Sequence, residues 1–236
     1  MTMTPSELAR RIEHTLLKPE TTSEQIDTLC DQALRYGFGS VCVNPVYVRR
    51  AAHRLDAGRS QDADAARPTI VSVAGFPLGA STTRTKVDEA RRALDDGAKE
   101  IDMVVALGAL IAGDVATVRK DIEEVARVVH EAVSGGILKV ILETATLSTD
   151  QIVFGCRCCV EGEADFVKTS TGFHPAGGAT VEHVRLLCRC ASPLRVKASG
   201  GIRTAAGACA MLEAGAARLG TSSGVAILEE LRRSTS

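Results

Sequence analysis

Tryptophan is absent from the 236 residues, and aromatic side chains make up only 3% of them. A core without aromatic slabs has to be built from aliphatic groups. The hydrophobic fraction of 45% with 21 Gly describes a finely divided interior, of the kind short parallel strands and Ala-rich helices build. An excess of either charge is also missing: 28 Lys and Arg face 29 Asp and Glu, for a formal net charge of -1. No basic stripe is left to neutralise a series of phosphates, which argues against nucleic-acid binding. The longest apolar stretch, Met103 to Gly113, is interrupted by glycine and falls well short of the roughly 20 residues a membrane span needs. The N-terminal Met1-Thr2-Met3-Thr4-Pro5 leads into a charged helical segment without the apolar region of a signal peptide, so a cytoplasmic protein is expected. In that compartment the eight Cys are expected as thiols, several of them buried like small hydrophobes.

What is present is an alternation of short β-branched runs with longer segments of helical period, the mark of βα units around a parallel sheet. Eight strands are predicted: Ile12 to Leu16, Ser40 to Val43, Thr69 to Ala74, Glu100 to Val104, Leu138 to Leu142, Asp165 to Thr169, Leu194 to Ala198 and Arg218 to Thr221. Between them, Val115, Val118, Ile122, Val125 and Val129 recur at helical spacing, as do Ile26, Leu29, Ala33 and Leu34 after a capping box from Thr22 to Gln25. Ser148 with Gln151 marks another helix start, and Gly37, Gly97, Gly162 and Gly215 are expected as left-handed helix ends before strands. The polar stretch Gly58 to Arg67 reads as a surface loop, not a domain boundary. A chain of this length with eight βα units fits one (β/α)8 TIM barrel, usually about 250 residues, spanning residues 1–236 with a short N-terminal helix. A doubly wound sheet is the alternative.

In such a barrel the active site lies at the C-terminal ends of the strands. Four ionisable residues belong to strands that should be buried on both faces: Asp102, Lys139, Lys168 and Lys197. A buried ammonium is costly unless paired, so three lysines need a reason beyond filling the barrel. Lys168 and Lys197 are 29 residues apart, one βα unit, and should sit side by side on adjacent strands. At ~5 to 6 Å and an effective dielectric of ~20, two ammonium groups repel by about 3 kcal/mol, or roughly two pKa units. One of them should lose its proton readily, and a neutral amine is what attacks a carbonyl to form a Schiff base. Asp102 would relay protons, with Lys197 as its cationic partner.

Small-residue turns follow the late strands: Thr169-Ser170-Thr171-Gly172, Ser199-Gly200-Gly201 and Gly220-Thr221-Ser222-Ser223-Gly224. Turns of this kind before helices can present backbone N–H groups to a phosphate. Two other readings stay open at this point: an isomerase acting on a different sugar phosphate, and a phosphate-binding barrel without catalysis. The cysteines of Cys156-Arg157-Cys158-Cys159 and Cys188-Arg189-Cys190 suggest zinc only weakly, because their spacing is too tight for a structural site and both groups lie within helical patterns. Cys42, near the barrel rim beside Asn44, reads as a small core residue, with an aldehyde-reactive thiol as the lesser alternative.

Read in order, Glu13-His14-Thr15-Leu16-Leu17-Lys18-Pro19, Val41-Cys42-Val43-Asn44-Pro45, Val73-Ala74-Gly75-Phe76-Pro77-Leu78-Gly79, Asp102-Met103-Val104, Lys139-Val140-Ile141-Leu142-Glu143-Thr144, Lys168-Thr169-Ser170-Thr171-Gly172-Phe173, Lys197-Ala198-Ser199-Gly200-Gly201-Ile202-Arg203 and Gly220-Thr221-Ser222-Ser223 resemble the successive signatures of the deoxyribose-phosphate aldolase family. The resemblance runs from about residue 7 to the C-terminus and implies a class I aldolase that needs no metal or other cofactor. The reaction it implies is the reversible cleavage of 2-deoxy-D-ribose 5-phosphate to acetaldehyde and D-glyceraldehyde 3-phosphate. It assigns the Schiff base to Lys168, the lowering of its pKa to Lys197 and the proton relay to Asp102. Phosphate contacts fall to Gly172, Gly200, Gly201, Ser222 and Ser223, with Thr169, Lys139 and Glu13 as further substrate-binding residues. Two positions depart from the family pattern: Glu13 stands where many members carry Asp, and Phe173-His174 where some place a Lys. The expected partners are small sugar phosphates and aldehydes, and the expected assembly is a homodimer.

Overall fold

The computed structural model describes residues 3–58 and 67–235. Its chain order is α1 (Pro5–Arg11), β1 (Ile12–Leu16), α2 (Ser23–Tyr36), β2 (Ser40–Val43), α3 (Val48–Ala57), β3 (Thr69–Ala74), α4 (Thr83–Asp95), β4 (Glu100–Val104), α5 (Leu107–Ala112), α6 (Val115–Ala132), β5 (Ile137–Ile141), α7 (Thr149–Glu161), β6 (Phe166–Lys168), α8 (Val181–Cys190), β7 (Arg195–Ser199), α9 (Ala205–Glu213), β8 (Arg218–Thr221) and α10 (Gly224–Thr235). The eight strands pair in parallel in sequence order, and β1 closes on β8 through Ile12 opposite Leu219 and Glu13 opposite Gly220. This is the (β/α)8 barrel, with the strand count read from the sequence. The doubly wound sheet is ruled out by that closure.

Five strands begin and end where expected; β5, β6 and β7 differ by one residue at both ends. Helix starts follow their capping chemistry: Thr22 and Ser148 accept from the backbone N–H of Gln25 and Gln151, whose side chains return the bond. On α6, Val118, Ile122, Val125 and Val129 are buried, as the periodicity requires. One helix end differs. Gly37, Gly97 and Gly215 have positive φ, but Gly162 has φ -88° and the left-handed position passes to Glu163 at φ 60°. The loop expectation for Gly58 to Arg67 falls largely on residues 59–66, outside the described residues. Beyond the barrel wall, Lys86 and Asp121 are both buried and joined at 2.5 Å, tying α4 to α6. Among the described residues no helix is long and apolar enough to cross a membrane.

Candidate active site

The strand register sets the lysines. Lys168 and Lys197 are Cα partners on β6 and β7, and Asp102 and Lys139 are partners on β4 and β5. All four side chains enter the barrel and converge. Asp102 is at the centre: its Oδ2 accepts from Lys168 at 2.7 Å and from Lys197 at 2.6 Å, and its Oδ1 accepts from Lys139 at 3.0 Å. The two nitrogens expected as neighbours therefore share one carboxylate oxygen. Gly220 makes room for this, since a Cβ there would lie 3.0 Å from Lys197 Cε.

Toward the N-terminal ends of the strands the cluster continues through Glu13, already expected at the site, and through Glu100 and Arg218, which no motif marked. Lys139 reaches Glu100 at 2.6 Å and Glu13 at 3.6 Å. Lys197 also donates to Glu13. Arg218 Nη1 donates to Glu100 at 2.7 Å and to Glu13 at 3.3 Å. Four cationic side chains thus share three carboxylates. The surplus is one positive charge, and it disappears if one amine is neutral.

The surroundings select which one. Among the described residues Lys168 pairs with Asp102 alone, and its ammonium is held below the usual lysine range, first by burial and then by the adjacent Lys197 charge. Burial also pulls Lys197 down, but Asp102 and Glu13 overcome it and leave Lys197 raised. Lys139 is raised in the same way by Asp102, Glu13 and Glu100. Asp102 stays well below the carboxylate range, because three lysines outweigh its burial. The expected repulsion between lysines operates, but desolvation is the larger cause.

Lys168 is also the member of the trio that lines a cavity, of about 310 Å³, at the C-terminal mouth. The same cavity is lined by Gly172, Gly200, Gly201, Ser222 and Ser223. Gly172, Gly200 and Gly201 have φ of 82°, 89° and 79°, a region only glycine enters freely. At Gly200 a Cβ would come within 3.0 Å of Gly178 Cα and 3.3 Å of Gly172 Cα, so the loops after β6 and β7 pack backbone to backbone. Gly200→Ala should therefore force these loops apart and weaken binding of a ligand in the cavity about tenfold or more, read as a rise in its Kd.

Three expected substrate-binding residues do not line the cavity. Thr169 is fully buried, donating to the Ser199 carbonyl and accepting from the Ser199 N–H, both at 3.0 Å. Glu13 and Lys139 lie within the barrel, bonded to the cluster that holds Lys197 and Asp102. Their place is deeper in the barrel than the mouth that Lys168 lines. His174 is exposed and absent from the lining, and its Nδ1 accepts from the Ala176 N–H of its own turn. Besides Lys168, the basic side chains that line the cavity are Lys18 and Arg203. Both belong to motifs already quoted, and their position after the ends of β1 and β7 was the signal available for them.

Cys42 is fully buried, and its thiol is pushed up to about 11 by burial and by Asp102, so it is a packed thiol and not a thiolate. Cys156, Cys158 and Cys159 are buried on α7. Burial holds Cys156 at about 12.

A family profile described as "DeoC/LacD family aldolase" matches residues 11–230. A relative from Thermococcus gammatolerans, named deoxyribose-phosphate aldolase, is 52% identical over 231 residues, covering 98% of this chain and 99% of that one. One of the same name from Brevibacillus brevis is 50% identical over 218 residues, 92% and 93% of the two chains. Among solved structures, the "unique tetrameric structure of deoxyribose phosphate aldolase from Aeropyrum pernix" superposes with a TM-score of 0.87 at 33% identity, over 97% of this chain and 92% of the other.

Proposed function

Since the chain belongs to the DeoC/LacD family of aldolases, we propose that it is a deoxyribose-phosphate aldolase working through a Schiff base on Lys168. It cleaves 2-deoxy-D-ribose 5-phosphate reversibly into acetaldehyde and D-glyceraldehyde 3-phosphate. The observation that carries the residue assignment is Lys168 itself, the lysine of the buried trio that meets the cavity.

The neutral Lys168 amine attacks the aldehyde carbon of the open-chain sugar, and the carbinolamine loses water to give an iminium ion. The iminium accepts the electron pair of the bond between the second and third carbons while the 3-hydroxyl gives up its proton. Glyceraldehyde 3-phosphate departs and a two-carbon enamine remains on Lys168. Protonation of its terminal carbon and hydrolysis release acetaldehyde. Asp102, kept ionised by three lysines, is a poor acid alone. The proton carrier is the Asp102–Lys197 pair, whose shared oxygen lies 2.7 Å from Lys168 Nζ.

The phosphate sits at the other end of the cavity, against the Gly172 and Gly201 turns and the Ser222-Ser223 segment before α10. There backbone N–H groups and a helix N-terminus favour an anion, and Lys18 and Arg203 supply charge. This layout fits an aldolase better than an isomerase, which needs a base and an electrophile but no amine poised beside a second ammonium.

Incubation with acetaldehyde and borohydride, with chelator present, should place an ethyl group on Lys168, located by peptide mass spectrometry. An unmodified Lys168 in folded protein rules out the Schiff-base assignment. A homodimer is the proposed assembly, and the mass in solution by light scattering decides it.

A further inference from the structure

Glu143 follows β5 with φ 57° and ψ 55°, one of two non-glycine residues with positive φ among those described. Such a conformation is disfavoured for a side chain with a Cβ and persists where the surroundings hold it. Here they do. The Glu143 side chain is buried and aimed at the loop after β6, where both its oxygens accept from the Thr171 N–H at 3.2 and 3.3 Å. Oε2 also accepts from the Thr171 hydroxyl at 2.5 Å. That hydroxyl in turn accepts from the Phe173 N–H at 3.1 Å.

The bonds consume the donors on either side of Gly172 and leave its own. Gly172 lines the cavity, and its N–H has no acceptor among the described residues. The backbone reinforces the link, since Leu142 N–H donates to the Lys168 carbonyl at 3.0 Å and Thr144 N–H to the Thr169 carbonyl at 2.9 Å. Glu143 thus bridges two strand ends and fixes which peptide of the β6 loop faces the ligand. It touches neither the cavity nor the lysine cluster.

We propose that Glu143 is a positioning residue for phosphate recognition: acting through Thr171, it holds the Gly172 N–H toward the phosphate of the substrate and so sets the preference for phosphorylated over unphosphorylated sugars. The inference rests on the aldolase reading given above. The residue's left-handed backbone exists to aim the carboxyl group, and its length matters more than its backbone preference.

Two variants separate these features. Asn tolerates the left-handed region better than Glu but is one methylene too short to reach Thr171; Gln keeps the length and an acceptor oxygen. The measurement is kcat and KM for 2-deoxyribose 5-phosphate and kcat/KM for unphosphorylated 2-deoxyribose, with acetaldehyde trapping at Lys168 alongside. For Glu143→Asn the expected result is a rise of about tenfold in KM for the phosphorylated sugar, as for one lost hydrogen bond to a charged group. Its kcat, its use of the unphosphorylated sugar and its trapping should stay within about twofold of the parent by the same conversion. Glu143→Gln should recover most of the KM. Equal losses with both sugars, or a Glu143→Asn enzyme with unchanged KM, overturn the proposal. Failure of trapping in the unaltered protein would instead remove the Schiff-base reading and leave the Glu143 test to direct phosphate binding, where Glu143→Asn should again be about tenfold weaker.

Discussion

Lys168→Met should abolish aldol cleavage and acetaldehyde trapping while leaving the barrel as stable as before, or more stable. Loss of the attacking amine removes the covalent route entirely, so a fall of at least ~10⁴-fold in kcat/KM is expected. The stability half of the prediction comes from charge. With Lys168 gone, Lys139, Lys197 and Arg218 face Glu13, Glu100 and Asp102, three against three. Because the folded pKa of Lys168 is lowered, its ammonium form carries a folding penalty that is present below that pKa and fades as pH rises toward the unfolded value. Near neutral pH the methionine escapes it. Asp102 does lose one donor but keeps Lys139 and Lys197. A Tm at or above that of the parent, with activity at background, is the expected pair of readings. A variant that retains a hundredth of the activity would show that another group forms the imine. A Tm lowered by many degrees would mean that the cluster needs four cations.

The lysine pair illustrates what the sequence makes legible. Strands buried on both faces read as apolar runs, so Lys168 and Lys197 stood out as exceptions, and a spacing of one βα unit was enough to place them side by side. The glycine turns around Gly172, Gly200 and Gly201 were legible because positive φ has a residue preference. Contacts across the barrel were not. Glu13, Glu100 and Arg218 meet Lys139 and Lys197 because strand tilt and stagger carry side chains from distant strands to one level, and no local spacing encodes that level. Thr169 illustrates a further blind spot: a residue inside a recognised motif looked ligand-facing, yet alternation along the strand turns its hydroxyl to the backbone of β7. Glu143 was hidden for the opposite reason, since a left-handed glutamate has no signature in a sequence.

Lys197→Met should damage both stability and catalysis, and the pH dependence separates the causes. The folded pKa of Lys197 is raised, so its ion pairs contribute their full stabilisation below the ordinary lysine pKa and lose it only as pH climbs through the raised folded value. At neutral pH the substitution removes all of it and leaves Glu13 and Asp102 each one donor short, a loss of about 3–5 kcal/mol for a broken buried pair. The remaining cations then number three, including Lys168, against three carboxylates. The cluster is balanced with Lys168 protonated, and burial alone is left to favour the neutral amine. In the parent, the rate of imine formation should rise with pH and level off at a pKa below the usual lysine range. In the variant that limb should move up by about two units, the equivalent of ~3 kcal/mol of lost repulsion, for a roughly 100-fold lower rate near neutrality. Raising the pH should recover much of it. If the deficit is instead the same at every pH, Lys197 acts as the proton donor of the Asp102 pair without tuning Lys168, and the surplus charge is not what makes the amine reactive.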